Sequence, residues 1–380
     1  MQIFKSQLIF FFALLSGLII SSCNPDDDND GNELIVPSTY EFYRDGNLSV
    51  SYSGQTQRLD MMEQITLYMK TSNTVGAAAL DAAMLKDMFA NENNPFSGSF
   101  TKDLESKCYP ADVSVFEGFM DQLAAASTAT GTASNGFAGV LVNDASETSG
   151  YRVDENGVEF TQVIEKGLMG AVFYYQAMES YLSPDRMGTT GNDNVSEGDD
   201  YTDMEHYFDE AFGYFGIPVD FPNAATLEDA RFWGKYCNKR DLGDYTGINA
   251  EMSTAWRTAR AAIVAKDYDS RDAAIQIIQQ RWARVIAATA VGYLREGLSN
   301  SGETLKSRHH ALSEAIGMMM SLKYHFSGGN SKYPPHFTYS EVELALSHVG
   351  ASTNLWDLTD ADINESIEHV QMAFPSGEIN

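Results

Sequence analysis

Apolar and polar positions change period several times along the chain, and each change marks an element. Residues 39–54, TYEFYRDGNLSVSYSG, alternate about Asp45-Gly46, which predicts a β-hairpin closed by a two-residue turn. From Gln57 onward the spacing turns to threes and fours. RLDMMEQITLYMK and ALDAAMLKDMFA read as helices, ended by NENNPFSGS, and DVSVFEGFMDQLAAAS reads as another before the small-residue loop STATGTASNG. In EFTQVIEKGLMGAVFYYQAMESYL an apolar stripe runs through Phe160, Ile164, Leu168, Ala171, Tyr175, Met178 and Leu182, the mark of one long buried helix. An acidic loop, SPDRMGTTGNDNVSEGDD, separates it from a helix that stops near Gly216 and Pro218. Further helices are expected at TLEDARFWGKYCNKR, at NAEMSTAWRTARAAIVAK and over SRDAAIQIIQQRWARVIAATAVGYLREGLS. One more helix then leads to the loop SGGNSKYPPHF, and two short ones close the chain, the last capped at Thr359 or Asp360.

Two stretches of this pattern spell the same phrase. Residues 206–213 read HYFDEAFG and residues 310–317 read HALSEAIG, each following a long helix, with a loop twelve residues longer in the first copy. A long helix, a loop and a His-x-x-x-Glu-Ala-x-Gly helix, written twice, predict a mainly α fold of two tandem, duplicated helical bundles behind a small N-terminal β-hairpin. The hairpin and first helical unit take residues 39–200, and the remaining helices, with the second unit, take 201–380 of what is read as a single body.

At about 100° per residue, His206, Glu210 and Gly213 share one stripe with Asp203 beside it, while Met204, Phe208, Ala211 and Phe215 lie opposite. His310, Glu314 and Gly317 repeat this, opposite Leu312, Ile316 and Met319. A solvated His–Glu pair is worth a few tenths of a kcal/mol, and the favoured order puts the acid first. An exposed mid-helix glycine costs about 1 kcal/mol against alanine. Two such glycines predict that something, a helix or a ligand, closely approaches each stripe. If the stripes turn toward one another, His206, Glu210, His310 and Glu314 form a candidate centre for iron or another divalent metal. Glu165, on the preceding long helix, is a further ligand or a surface acid. The usual di-iron pattern, Glu-x-x-His, is absent, as are HExxH, G-x-S-x-G, a Walker loop and CxxC. RFWGKY, finally, reads as a helix with a packed tryptophan; the alternative is that Arg231, Trp233 and Lys235 hold an anionic group.

Outside the helical region the start of the chain carries an address. A basic MQIFKSQ and the apolar run LIFFFALLSGLII lead to ISSC, residues 20–23. The run is short for a permanent span and reads as a secretory signal, and its end resembles the bacterial lipobox. That resemblance implies cleavage of residues 1–22 and acylation of Cys23, whose several chains anchor stably where one would not. Residues 23–38, containing NPDDDNDGNE, form an acidic tether, which resembles the surface-export signal of some Gram-negative lipoproteins. An outer-membrane lipoprotein is expected, on the cell surface or on the periplasmic face. The chain carries 25 basic and 53 acidic residues, a net charge of −28. Loss of the signal peptide removes only Lys5 and leaves −29. Such a charge disfavours nucleic acid and anionic lipid surfaces. Cys108 and Cys237 remain, as a disulfide or as buried thiols.

SGQTQRLDMMEQI, HYFDEAFGYFG, ARFWGKY and SRHHALSEAIGMMMSLKY resemble the lipoproteins grouped as domain of unknown function 4856, from about Tyr40 to the C-terminus. The duplicated helical plan is also similar to imelysin-type envelope proteins, which are associated with iron uptake, although their Gly-x-His-x-x-Glu motif is absent. These likenesses imply an envelope binding or accessory protein, non-catalytic, concerned with nutrient, iron or haem acquisition. A metal-dependent hydrolase and a structural partner of an outer-membrane transporter are the alternatives.

Overall fold

The computed structural model describes residues 34–195, 197–325, 339–375 and 377–379. The signal peptide, Cys23, most of the tether and the loop SGGNSKYPPHF lie outside the described residues. The expected hairpin is present: β1 (Tyr43–Arg44) pairs antiparallel with β2 (Asn47–Leu48), and Asp45 and Gly46 both take positive φ, 50° and 89°. That double positive φ is what a right-twisted two-residue turn requires, and Asp-Gly supplies it at little cost.

The rest is mainly helix, with eleven α-helices among the described residues. The first three are α1 (Ser53–Lys70), α2 (Ala82–Ala90) and α3 (Val113–Ser127). A second hairpin follows, β3 (Gly139–Leu141) with β4 (Tyr151–Val153), which the sequence did not announce because residues 142–150, rather than a two-residue Asp-Gly turn, join its short strands. Then come α4 (Phe160–Leu168), α5 (Asp203–Phe215), α6 (Phe232–Asp241), α7 (Ile248–Ala265), α8 (Tyr268–Glu296), α9 (Leu305–Leu322), α10 (Tyr339–His348) and α11 (Asp360–Met372).

The long helix predicted over 159–182 departs from α geometry halfway. Beyond Leu168 it continues as π-helix over Met169–Tyr174 and again over Gln176–Tyr181, a rare form usually confined to single turns. Widening the helix changes the phase of its apolar stripe: Tyr175, a stripe member, is only half-buried, whereas residues 169–174 are buried on every side. Two carbonyls in this segment accept from outside, Met169 from the Trp233 indole at 3.0 Å and Ala171 from the Tyr109 amide at 2.8 Å.

The core gathers on α8. Its Trp282 lies 6.3 Å, centroid to centroid, from both Trp233 of α6 and Trp256 of α7, with Phe215 of α5 at 4.7 Å. Such edge-on aromatic packing contributes about 0.5–1.5 kcal/mol per pair beyond burial. The elements before and after residue 200 interleave: α4 packs along α9, and α5 packs on α1. The division at residue 200 is therefore not one in space, and the duplication stays a relation between two phrases rather than between two separate bundles. Cys108 and Cys237 are both buried free thiols, so the disulfide alternative falls away.

Candidate functional site

The two phrases stand in similar but separate surroundings. At the start of α5, Thr202 and Glu205 form a reciprocal cap, which sets His206 and Glu210 on the first turns. The His206 ring stacks on Tyr201 at 4.8 Å, and its Nε2 lies 4.0 Å from Glu210 Oε2. Glu210 accepts from Gln55 Nε2 at 2.8 Å and from the Tyr181 hydroxyl at 3.2 Å. In α9 the His310 ring stacks on Tyr151 of β4 at 4.1 Å. His310 Nδ1 bonds Glu159 Oε2 at 2.6 Å, and Nε2 lies 3.6 Å from Glu314 Oε2.

The close approach predicted from the glycines is to helices. A β-carbon on Gly213 would stand 2.7 Å from that of Tyr52 and 2.9 Å from that of Gln55; one on Gly317 would stand 2.6 Å from that of Lys166. Each polar stripe is thus pressed against an earlier stretch of the chain. Among the described residues no group of three or more His, Cys, Asp or Glu side chains is arranged to hold a metal ion. The physical reason is visible at His310, whose opposite ring nitrogens face different carboxylates and cannot meet them at one point. His206, Glu210, His310 and Glu314 are therefore not brought into one centre as the wheel suggested.

What the second phrase builds instead is a line of charge, Glu159, His310, Glu314, Lys166 and Glu165, in which His310 and Glu165 are half-buried and the rest buried. Lys166 Nζ lies 3.5 Å from Glu314 and 3.1 Å from Glu165. Burial pushes the Glu159 carboxyl up, and the bond from His310 reverses this only in part. Burial disfavours the imidazolium of His310, but Glu159, followed by Glu314, outweighs it and raises the group above its ordinary value. Lys166 suffers the same burial and is raised by Glu165 and Glu314. Burial would lift Glu165, but Lys166, then Lys70, then Lys235 hold it below the usual carboxylate range. Glu165, expected as a metal ligand or a surface acid, is the cleft end of an ion-pair line. Glu159, Lys166 and Tyr151 carried no motif; the nearest signals were the reversed His–Glu order and the glycine three residues beyond it.

The line opens into a cleft of about 520 Å³ between α1, α4 and α6, within the size range of small-molecule sites. Its position depends on how the chain returns from α5. Gly216 ends that helix in the left-handed region, φ 79°, and its carbonyl accepts from the Arg231 amide at 2.7 Å. Arg231 then reaches α1, with Nη1 2.9 Å from Asp60 and Nε 2.7 Å from Glu63. Phe232 follows at φ 44°, a conformation that costs a bulky side chain on the order of 1–3 kcal/mol and that recurs at ligand clamps. Three buried polar atoms of the lining have no hydrogen-bond partner: Thr66 Oγ1, Glu165 Oε2 and Arg231 Nη2. Chemically the arrangement offers placed charge and lone donors and acceptors beside apolar surface, which suits binding.

A family model, Domain of unknown function (DUF4856), matches residues 37–375. No curated protein and no solved structure matches the chain. With practically all of its helical body covered by that model, the chain belongs to the DUF4856 family.

Proposed function

We propose that this protein is an outer-membrane lipoprotein, anchored through Cys23, that binds a small solute in the α1–α4–α6 cleft without transforming it and serves nutrient acquisition. The lipobox ISSC and the acidic tether support the anchor. The observation that carries the binding reading is the grouping of three unpartnered buried polar atoms on Thr66, Glu165 and Arg231, residues that all line one cleft. A buried donor or acceptor without a partner costs about 1–3 kcal/mol, and a polar ligand that meets several at once recovers that cost as affinity. The strained backbone at Phe232, on the same wall, fits a surface shaped for contact rather than for stability alone. A transporter of the outer membrane is the partner to which such a protein would deliver its solute.

The test is a thermal-shift screen of the full lipoprotein in detergent against amino acids, short peptides, sugars, organic acids and divalent metals. A ligand that prefers the folded state raises the midpoint with concentration. The control is Leu67→Trp, which fills the cleft mouth from a position 66 % exposed and so leaves the core intact. At least one solute should stabilise the wild-type chain and not this variant. If every stabilising solute acts equally on both proteins, the cleft is not the site.

A further inference from the structure

Resting on that reading, we infer that the solute is a small organic carboxylate with an apolar body. The chain has about twice as many acidic as basic residues, yet four cations, Lys70, Lys166, Arg231 and Lys235, line this one cleft. Their pairing separates them into two kinds. Lys166 is engaged by Glu165 and Glu314, and two nitrogens of Arg231 are engaged by Asp60 and Glu63. Among the described residues Lys70 and Lys235 make no ion pair, although the charge of each acts on Glu165. Two ammonium groups and the buried third guanidinium nitrogen are therefore left for a ligand, against Glu228 and the partnerless Oε2 of Glu165 among the lining acids. The Thr66 hydroxyl, buried on a lining residue, adds a neutral donor.

Charge alone would suit any anion, inorganic phosphate included. Between the cations, however, the walls are Leu67, Leu227, Ala230, Phe232 and the ring of Tyr236. A small, strongly hydrated anion gains nothing from that surface, whereas the chain or ring of an organic acid gains about 25 cal/mol for each Å² it buries. A carboxylate also matches a lone guanidinium nitrogen and a hydroxyl, each of which donates to an oxygen.

The probes are 3-phenylpropionate, its neutral amide, the cationic 3-phenylpropylamine and inorganic phosphate, titrated by calorimetry into the full lipoprotein in detergent. The carboxylate should bind, and the other three should bind at least tenfold more weakly or not at all. In Lys70→Gln/Lys235→Gln, whose changes sit on exposed side chains, the carboxylate Kd should rise at least tenfold and lose most of its dependence on salt. Amide or amine binding as tight as the carboxylate, phosphate binding as tight, or an unchanged Kd in the double variant would each overturn the inference. All three leave the binding reading standing if Leu67→Trp abolishes what is seen. If none of the four probes binds while Leu67→Trp blocks a screened solute that carries no carboxylate, the carboxylate assignment alone fails. If no solute of any class is blocked by Leu67→Trp, both fail.

Discussion

Arg44, in the N-terminal hairpin, grips Glu205 of α5 through both guanidinium ends, at 2.8 and 2.9 Å. Glu205 is wholly enclosed, and Arg260 of α7 reaches it from the far side at 3.0 Å. The same Arg260 bonds Asp209 at 2.9 Å, and Asp209 accepts from the Tyr40 hydroxyl at 2.8 Å. The N-terminal hairpin is thus tied to the helical body by ion pairs rather than merely laid upon it. Removing one partner of a buried pair leaves the other charge uncompensated, at about 3–5 kcal/mol. Glu205→Ala should lose that much in chemical denaturation. Arg44→Ala should lose clearly less, since Arg44 is 27 % exposed and Arg260 continues to neutralise the carboxylate. Equal losses would mean that the hairpin, not the buried centre, dominates.

The glycines of the repeated phrase give a test by sign. On an exposed helix Gly→Ala stabilises by about 1 kcal/mol. At Gly317 a methyl would meet the Lys166 β-carbon at 2.6 Å and the Gly167 amide nitrogen at 3.0 Å, and overpacking of this kind costs about 1–3 kcal/mol. Gly317→Ala should therefore lower the unfolding free energy. A gain in stability would show that α9 does not press on α4 as described.

Much of this was legible in the order of residues, and the limits of that legibility are physical. Three-four spacing located the helices, and Asp45-Gly46 located the first hairpin, because both signals are local. The same was true of Gly213 and Gly317, which announced a close neighbour without naming it. The neighbour lies some 150 residues away for Gly317, and nothing in the spacing of α9 points to Lys166 or Glu159. The π-helical stretch was invisible because an α stripe shows only where apolar residues have a polar face to contrast with, and residues 169–174 are buried all round. The metal centre failed for a related reason. A helical wheel gives the direction of His310 from its own axis but not which carboxylate each ring nitrogen will meet.

Acid should weaken the fold through two histidines outside the cleft. His309 donates from Nδ1 to the Gly157 carbonyl at 2.9 Å, and its buried Nε2 has no partner. Burial pushes it down to about 4, and burial alone pushes His325 down to about 3. An unfolded histidine titrates near 6.5. The stability each contributes is therefore complete above that value and is lost as pH falls through the window toward its folded value. His310 has the opposite sign. Its folded value is raised, so its contribution is complete below the unfolded value and is lost as pH rises through the folded one. Denaturation midpoints should peak near neutral pH. In His309→Gln the acid limb should flatten by about 1.4 kcal/mol per pH unit, the value of one proton. An acid limb unchanged in that variant would remove His309 from the account.

Divalent metal should not depend on the repeated phrase. With His310 held between two carboxylates through opposite nitrogens, the double variant His206→Ala/His310→Ala should take up iron or zinc in titrations to the same extent as the wild-type chain. A stoichiometric loss of uptake in the variant would restore a metal role to these residues.

The most direct measurement is mass spectrometry of the small molecules released on denaturing the natively expressed lipoprotein, compared between wild type and Leu67→Trp, with elemental content read on the same samples. Wild-type protein should release an organic solute that the variant lacks, with equal metal content in the two. Identical small-molecule profiles from both would contradict binding in the cleft between α1, α4 and α6.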